Sequence, residues 1–199
     1  MDSHKLSPEE LDSFKELFAI EPGDELPDAH RLTVTTKVPE LVARLLGKSK
    51  LTLLAEVSHY KLFFPLNLHM DEFGQFNPEL GIPEVLDTRG GERSWRLTDL
   101  DGVVVKSADD GEPLELLSLS SSGVTLREQD MGDSKEVQLE LPGGETVPLA
   151  VEEVRSENGV VAARILASAE AREALRRFLF GRHRDLYAEL YADLAQPKP

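Results

Sequence analysis

Between Leu97 and Leu166 the chain is interrupted again and again by turns that a helix does not cross. They are Asp109-Asp110-Gly111, Ser122-Gly123, Gly132-Asp133, Pro142-Gly143-Gly144 and Asn158-Gly159. Alternation of apolar residues starts after Arg96 with Leu97, Leu100, Val103 and Val105. Short apolar runs follow at Leu114–Leu119, Val124–Leu126, Val137–Leu141, Val147–Val154 and Val160–Leu166. Runs this short, at this spacing, cannot each carry a helix of ordinary length. They predict antiparallel strands that bury one face in a barrel or sandwich.

The flanks read differently. Ser7-Pro8-Glu9-Glu10 supplies a cap, a first-turn proline and a capping-box glutamate, and Leu11, Phe14, Leu17 and Phe18 follow at helical spacing until Pro22-Gly23. A second short helix is expected from Pro39 to Gly47. Leu51–Val57 and Tyr60–Leu68, separated only by Ser58 and His59, predict a hairpin, with Pro65 marking an edge strand or a bulge. Asp71 to Gly81 reads as a loop-rich passage. After Ser168, a plausible helix cap, a stripe of Leu175, Phe178, Leu179, Leu186, Leu190 and Leu194 predicts a C-terminal helix, which Gly181 is placed to divide. Phe180, Tyr187 and Tyr191 lie off that stripe and offer a second apolar face for a homodimer through the helix.

Composition removes several classes of function. The 199 residues carry 22 Lys and Arg against 37 Asp and Glu, a net charge of −15. Such a surface repels polyphosphate, so DNA and RNA are not expected partners. With 40% hydrophobic residues the chain has material for a core, which sets the acidity on a folded surface. There is no cysteine, which excludes disulfides, thiol catalysis and thiolate metal centres. His4, His30, His59, His69 and His183 show no metal-binding spacing, so neither a metal nor a cofactor is expected. No nucleophile elbow, Walker loop or dinucleotide fingerprint occurs, and no carboxylate pair stands out, so the chain does not read as an enzyme. No stretch reaches the ~18 apolar residues of a membrane span, and no signal-type run follows Met1, which predicts a cytoplasmic protein without membrane insertion.

Two polar clusters stand out against this background. Arg89-Gly90-Gly91-Glu92-Arg93-Ser94-Trp95-Arg96 lies immediately before the first barrel run. Leu117-Ser118-Leu119-Ser120-Ser121-Ser122-Gly123-Val124-Thr125-Leu126 spans a strand and its turn. Trp95 reads as a core anchor. With Leu141-Pro142-Gly143-Gly144-Glu145, two long strands and a terminal helix behind them, these clusters give the chain an order that resembles a PilZ domain. That family is a bacterial receptor fold for cyclic di-GMP. Its arginine motif has three residues between two arginines, as between Arg89 and Arg93, whereas Arg93 and Arg96 have two between them and the residue with three between it and Arg96 is Glu92. Its second motif, Asp/Asn-x-Ser-x-x-Gly, matches Ser118 to Gly123, with Ser118 at the Asp/Asn position.

The resemblance implies a six-stranded antiparallel PilZ-type barrel with a C-terminal helix over residues 87–195. It leaves a small N-terminal α+β region over residues 1–86, to be compared with a reduced split barrel. It further implies a non-enzymatic receptor that binds cyclic di-GMP and relays occupancy to a protein partner. The ligand would be held by Arg89, Arg93 and Arg96 with Ser118, Ser120 and Gly123. A guanidinium can fork onto phosphate or a guanine edge, a hydroxyl can accept a base donor, and glycine permits a tight turn. The alternative is a PilZ-fold protein–protein adaptor that has lost the nucleotide.

Overall fold

The computed structural model describes residues 30–31, 51–70, 76–127 and 136–195; the two expected N-terminal helices and the Gly132-Asp133 turn lie outside them. The protein is mainly β with a helical C-terminus. It divides into two units, Arg89–Arg182 and a second that joins the chain up to Thr88 with the chain from His183 onward.

In the second unit, strands β1 (His30–Arg31), β2 (Leu51–Val57), β3 (Tyr60–Met70), β4 (Phe76–Leu80) and β5 (Glu84–Asp87) are antiparallel. The expected β2–β3 hairpin is present, closed by Ser58 and His59, with Ser58 at a φ of 56°. The expected loop-rich passage corrects to a strand over Phe76–Leu80: this β4 pairs with residues Leu66–Met70 of β3, and β5, which follows the passage, pairs with Tyr60–Phe63. Pro65 therefore sits in an interior strand. It is tolerated there because its carbonyl meets the Gly81 amide at 2.7 Å, in the break where β3 changes partner from β4 to β5. No ladder donor is required at that break.

The same unit holds a buried aromatic cluster. His183 and Tyr60 are closed to solvent, their rings edge to face with centroids 4.4 Å apart, and His183 Nδ1 lies 2.7 Å from the Tyr191 hydroxyl. Burial, helped by His59 and opposed by Asp87, pushes His183 down to about 3. Burial also holds the Tyr191 phenol above its ordinary value.

In the first unit, β6 (Arg93–Ser94) precedes β7 (Val104–Ser107), β8 (Pro113–Leu114), β9 (Leu116–Leu119), β10 (Gly123–Arg127), β11 (Glu136–Glu140), β12 (Thr146–Glu157) and β13 (Val160–Leu166). The sheet order is β8-β7-β11-β12-β13-β10-β9. Its two end strands are separated only by Glu115. Pro113 to Leu119 is therefore one bent strand that pairs with β7 at one end and β10 at the other, and the sheet nearly closes on itself. The six-stranded antiparallel barrel expected from the sequence is thereby realised. Val105, Leu119, Val124, Leu126, Leu139 and Val161 point inward and are buried, as period-two alternation requires. Trp95 and Leu97 join them.

Helix α1 (Ala169–Leu186) opens at Ser168, whose Oγ accepts from the Ala171 amide at 3.1 Å, and α2 (Ala188–Ala195) follows. Ser168→Ala removes that cap and is expected to lower stability by ~1 kcal/mol, read as a fall in the urea midpoint at unchanged slope. The helix runs straight through Gly181 and is interrupted at Tyr187, where the Leu190 amide bonds the Tyr187 carbonyl. Glycine only weakens a helix by ~1 kcal/mol, which tertiary burial on either side overrides. The proposed second apolar face is not free. Phe180 and Tyr191 are buried, Tyr187 is half-buried, and Leu186 is the large exposed side chain there. No helix among the described residues is long and apolar enough to cross a membrane.

Candidate functional site

A backbone bridge builds the site. Leu97 and Leu119 exchange two hydrogen bonds of 2.8 and 2.9 Å, and both side chains go into the barrel. Alternation then turns their neighbours Arg96, Ser118 and Ser120 to the outer face. Ser118 pairs with Thr125 on β10, which brings a further hydroxyl to the same face.

These residues grip one guanidinium. Arg96 Nη1 donates to Ser118 Oγ at 2.9 Å and to Thr125 Oγ1 at 3.0 Å, and Nη2 reaches toward Ser120 Oγ at 3.5 Å. Ser120 is fully buried and serves the turn first. Its hydroxyl donates to the Gly123 carbonyl and accepts from the Gly123 amide, both at 3.0 Å. Among the described residues all of the acceptors on Arg96 are neutral, and no carboxylate pairs with it. Partial desolvation, then the charge of Arg93, lower the Arg96 pKa from its ordinary value; it remains a cation at neutral pH.

The sequence reading is assembled in part. Arg96, Ser118, Ser120 and Gly123 come together. Arg93 is exposed on β6, near enough for its charge to act on Arg96, and Arg89 is exposed at the turn formed with Gly90 and Gly91. The hydroxyl cluster holds Arg96 and neither of these two. Thr125 was missed, although it stands two residues after Gly123 and therefore on the same strand face.

Gly123 has a different reason from the one expected. Its φ is not positive, so no left-handed turn demands glycine. Instead, a Cβ there would stand 2.9 Å from the Ala163 carbonyl oxygen of β13 and 3.6 Å from Arg96 Nη2. Gly123→Ala is expected to destabilise the barrel by ~1–3 kcal/mol through that backbone clash, measured as a drop in the urea midpoint.

No family model matches this chain, and no curated protein matches it. Among solved structures it is similar to a Legionella uncharacterized protein, Lpg0364, at 20% identity over 47% of this chain and 98% of that one, with a TM-score of 0.39. It is also similar to the Bacillus subtilis inhibitor of motility MotI/DgrA, at 10% identity over 79% and 84% of the two chains, with a TM-score of 0.35. A third similar structure is K. pneumonia MrkH in complex with c-di-GMP, at 17% identity over 83% and 80%, with a TM-score of 0.36.

Proposed function

We propose that this protein is a non-enzymatic PilZ-type receptor that binds cyclic di-GMP on the outer face of its barrel and relays occupancy to a protein partner. One observation carries the reading. In a chain of net charge −15, Arg96 is held on an outer barrel face by three hydroxyls, and among the described residues no carboxylate pairs with it. Neutral acceptors fix the direction of a guanidinium and leave its charge for an incoming anion. A phosphate, which can take two parallel N–H donors, suits that group. Arg93, whose charge acts on Arg96, and the exposed Arg89 would complete the clamp.

A second reading, a PilZ-fold adaptor without nucleotide, draws on Ser118. Its hydroxyl stands where the family motif has Asp or Asn, and it already accepts from Arg96. A hydroxyl cannot pair two guanine donors as a carboxylate does. Thermal unfolding separates the two. Cyclic di-GMP at a hundred times its dissociation constant should add ~2.7 kcal/mol of stability and raise the melting temperature, whereas GMP should not. An unchanged melting temperature at millimolar cyclic di-GMP would favour the adaptor.

A further inference from the structure

We propose that Arg164 on β13 is a second anion-binding group of the Arg96 site, taking the second phosphate of cyclic di-GMP. The inference rests on the receptor reading above and extends it to a residue outside both sequence motifs. Arg164 is the direct cross-strand partner of Gly123. Its neighbours Ala163 and Ile165 are buried, so alternation sends Arg164 to the outer face, the face on which Arg96 lies. Directly opposed residues on neighbouring strands have Cα atoms about 4.5–5.5 Å apart. Arg96 Nη2 sits 3.6 Å from the place a Gly123 Cβ would occupy. The base of Arg164 therefore stands just across the glycine from the Arg96 guanidinium.

What lies between the two cations is nearly bare. Gly123 has no side chain, and Ala162, the cross-strand partner of Thr125, carries one methyl. A larger residue at either position would wall the two arginines off from each other. The result is a shallow bed with a guanidinium on each side, a form that suits a ligand with two phosphates and flat bases.

Arg164 is also available. Among the described residues its one ion-pair partner is Glu152, the facing residue on β12, with Nη1 and Oε2 at 3.7 Å and both side chains about three-fifths exposed (62% and 59%). A pair this loose and solvated contributes little, and an arriving phosphate displaces it at small cost. Glu152 then acts as a brake on affinity, because its carboxylate competes for the same guanidinium.

Titration calorimetry of the full chain with cyclic di-GMP tests this. Arg164→Ala should weaken binding at least tenfold, and Arg164→Lys less. Arg172→Ala, the same charge change on an exposed part of α1, should alter it less than twofold. Glu152→Gln should tighten binding two- to fivefold, which is a gain that no folding defect can mimic. Unchanged affinity in Arg164→Ala and Glu152→Gln, with binding lost in Arg96→Ala, would overturn the role of Arg164 and leave the receptor intact. Absence of binding by the unaltered protein would overturn both.

Discussion

Replacing Arg96 by alanine is expected to lower affinity for cyclic di-GMP by at least ~100-fold, with little change in melting temperature. The size follows from the donor count. A forked guanidinium–phosphate contact comprises charge-assisted bonds worth ~1.5–3 kcal/mol each, and two of them exceed the ~2.7 kcal/mol that a hundredfold represents. The small effect on stability follows from exposure. Arg96 itself is exposed; of the acceptors left behind, Thr125 is half-buried and Ser118, buried in the unaltered protein, loses the side chain bonded to it, so that water can take the place of the guanidinium. Arg96→Lys should restore only a small part of the affinity, since an ammonium cannot reproduce the fork or bridge two hydroxyls from one nitrogen plane. Calorimetry on the three proteins checks the series. Full affinity in Arg96→Ala would place any ligand site elsewhere on the molecule.

Acid should destabilise the protein well before its carboxylates are neutralised, and His183 sets where this begins. Buried and held at about 3, His183 stays neutral in the folded state, while the unfolded chain protonates it near 6.5. The unfolded state therefore binds more protons below pH 6.5. Stability from this group is complete above that value and falls as the pH drops, by ~1.4 kcal/mol per unit, until the folded group also titrates. Between pH 6.5 and 5 the loss is ~2 kcal/mol, and by pH 3 it approaches ~5 kcal/mol. His183→Gln keeps a hydrogen-bonding group near Tyr191 and removes the titration. Urea denaturation from pH 7 to 5 should show the slope in the unaltered protein and a flatter line in the variant. Equal slopes would mean that other groups govern the acid limb.

The barrel was legible because its rules are local. Asn158-Gly159 and Pro142-Gly143-Gly144 fix turns by backbone conformation alone, and the runs between them alternate on a period of two. Arg96, Ser118, Ser120 and Gly123 were legible for a similar reason, lying in two short motifs that one backbone bridge joins. What escaped was set by partners distant in sequence. Pro78 and Gly81 make β4 look like a loop, yet pairing with β3 and β1 supplies its hydrogen bonds. Gly181 looks like a helix break, and the burial of Leu179, Phe180 and His183 around it outweighs the local weakness. Gly123 signalled a turn, while the real constraint is a carbonyl forty residues away on β13. Arg164 carries no motif at all; only its register against Gly123 places it beside Arg96.

Isothermal titration of the unaltered protein with cyclic di-GMP tests the receptor reading most directly. Saturable heat with a dissociation constant at or below the micromolar range, lost in Arg96→Ala, is the predicted result. No heat up to millimolar ligand, together with a melting temperature that the ligand does not move, would contradict it.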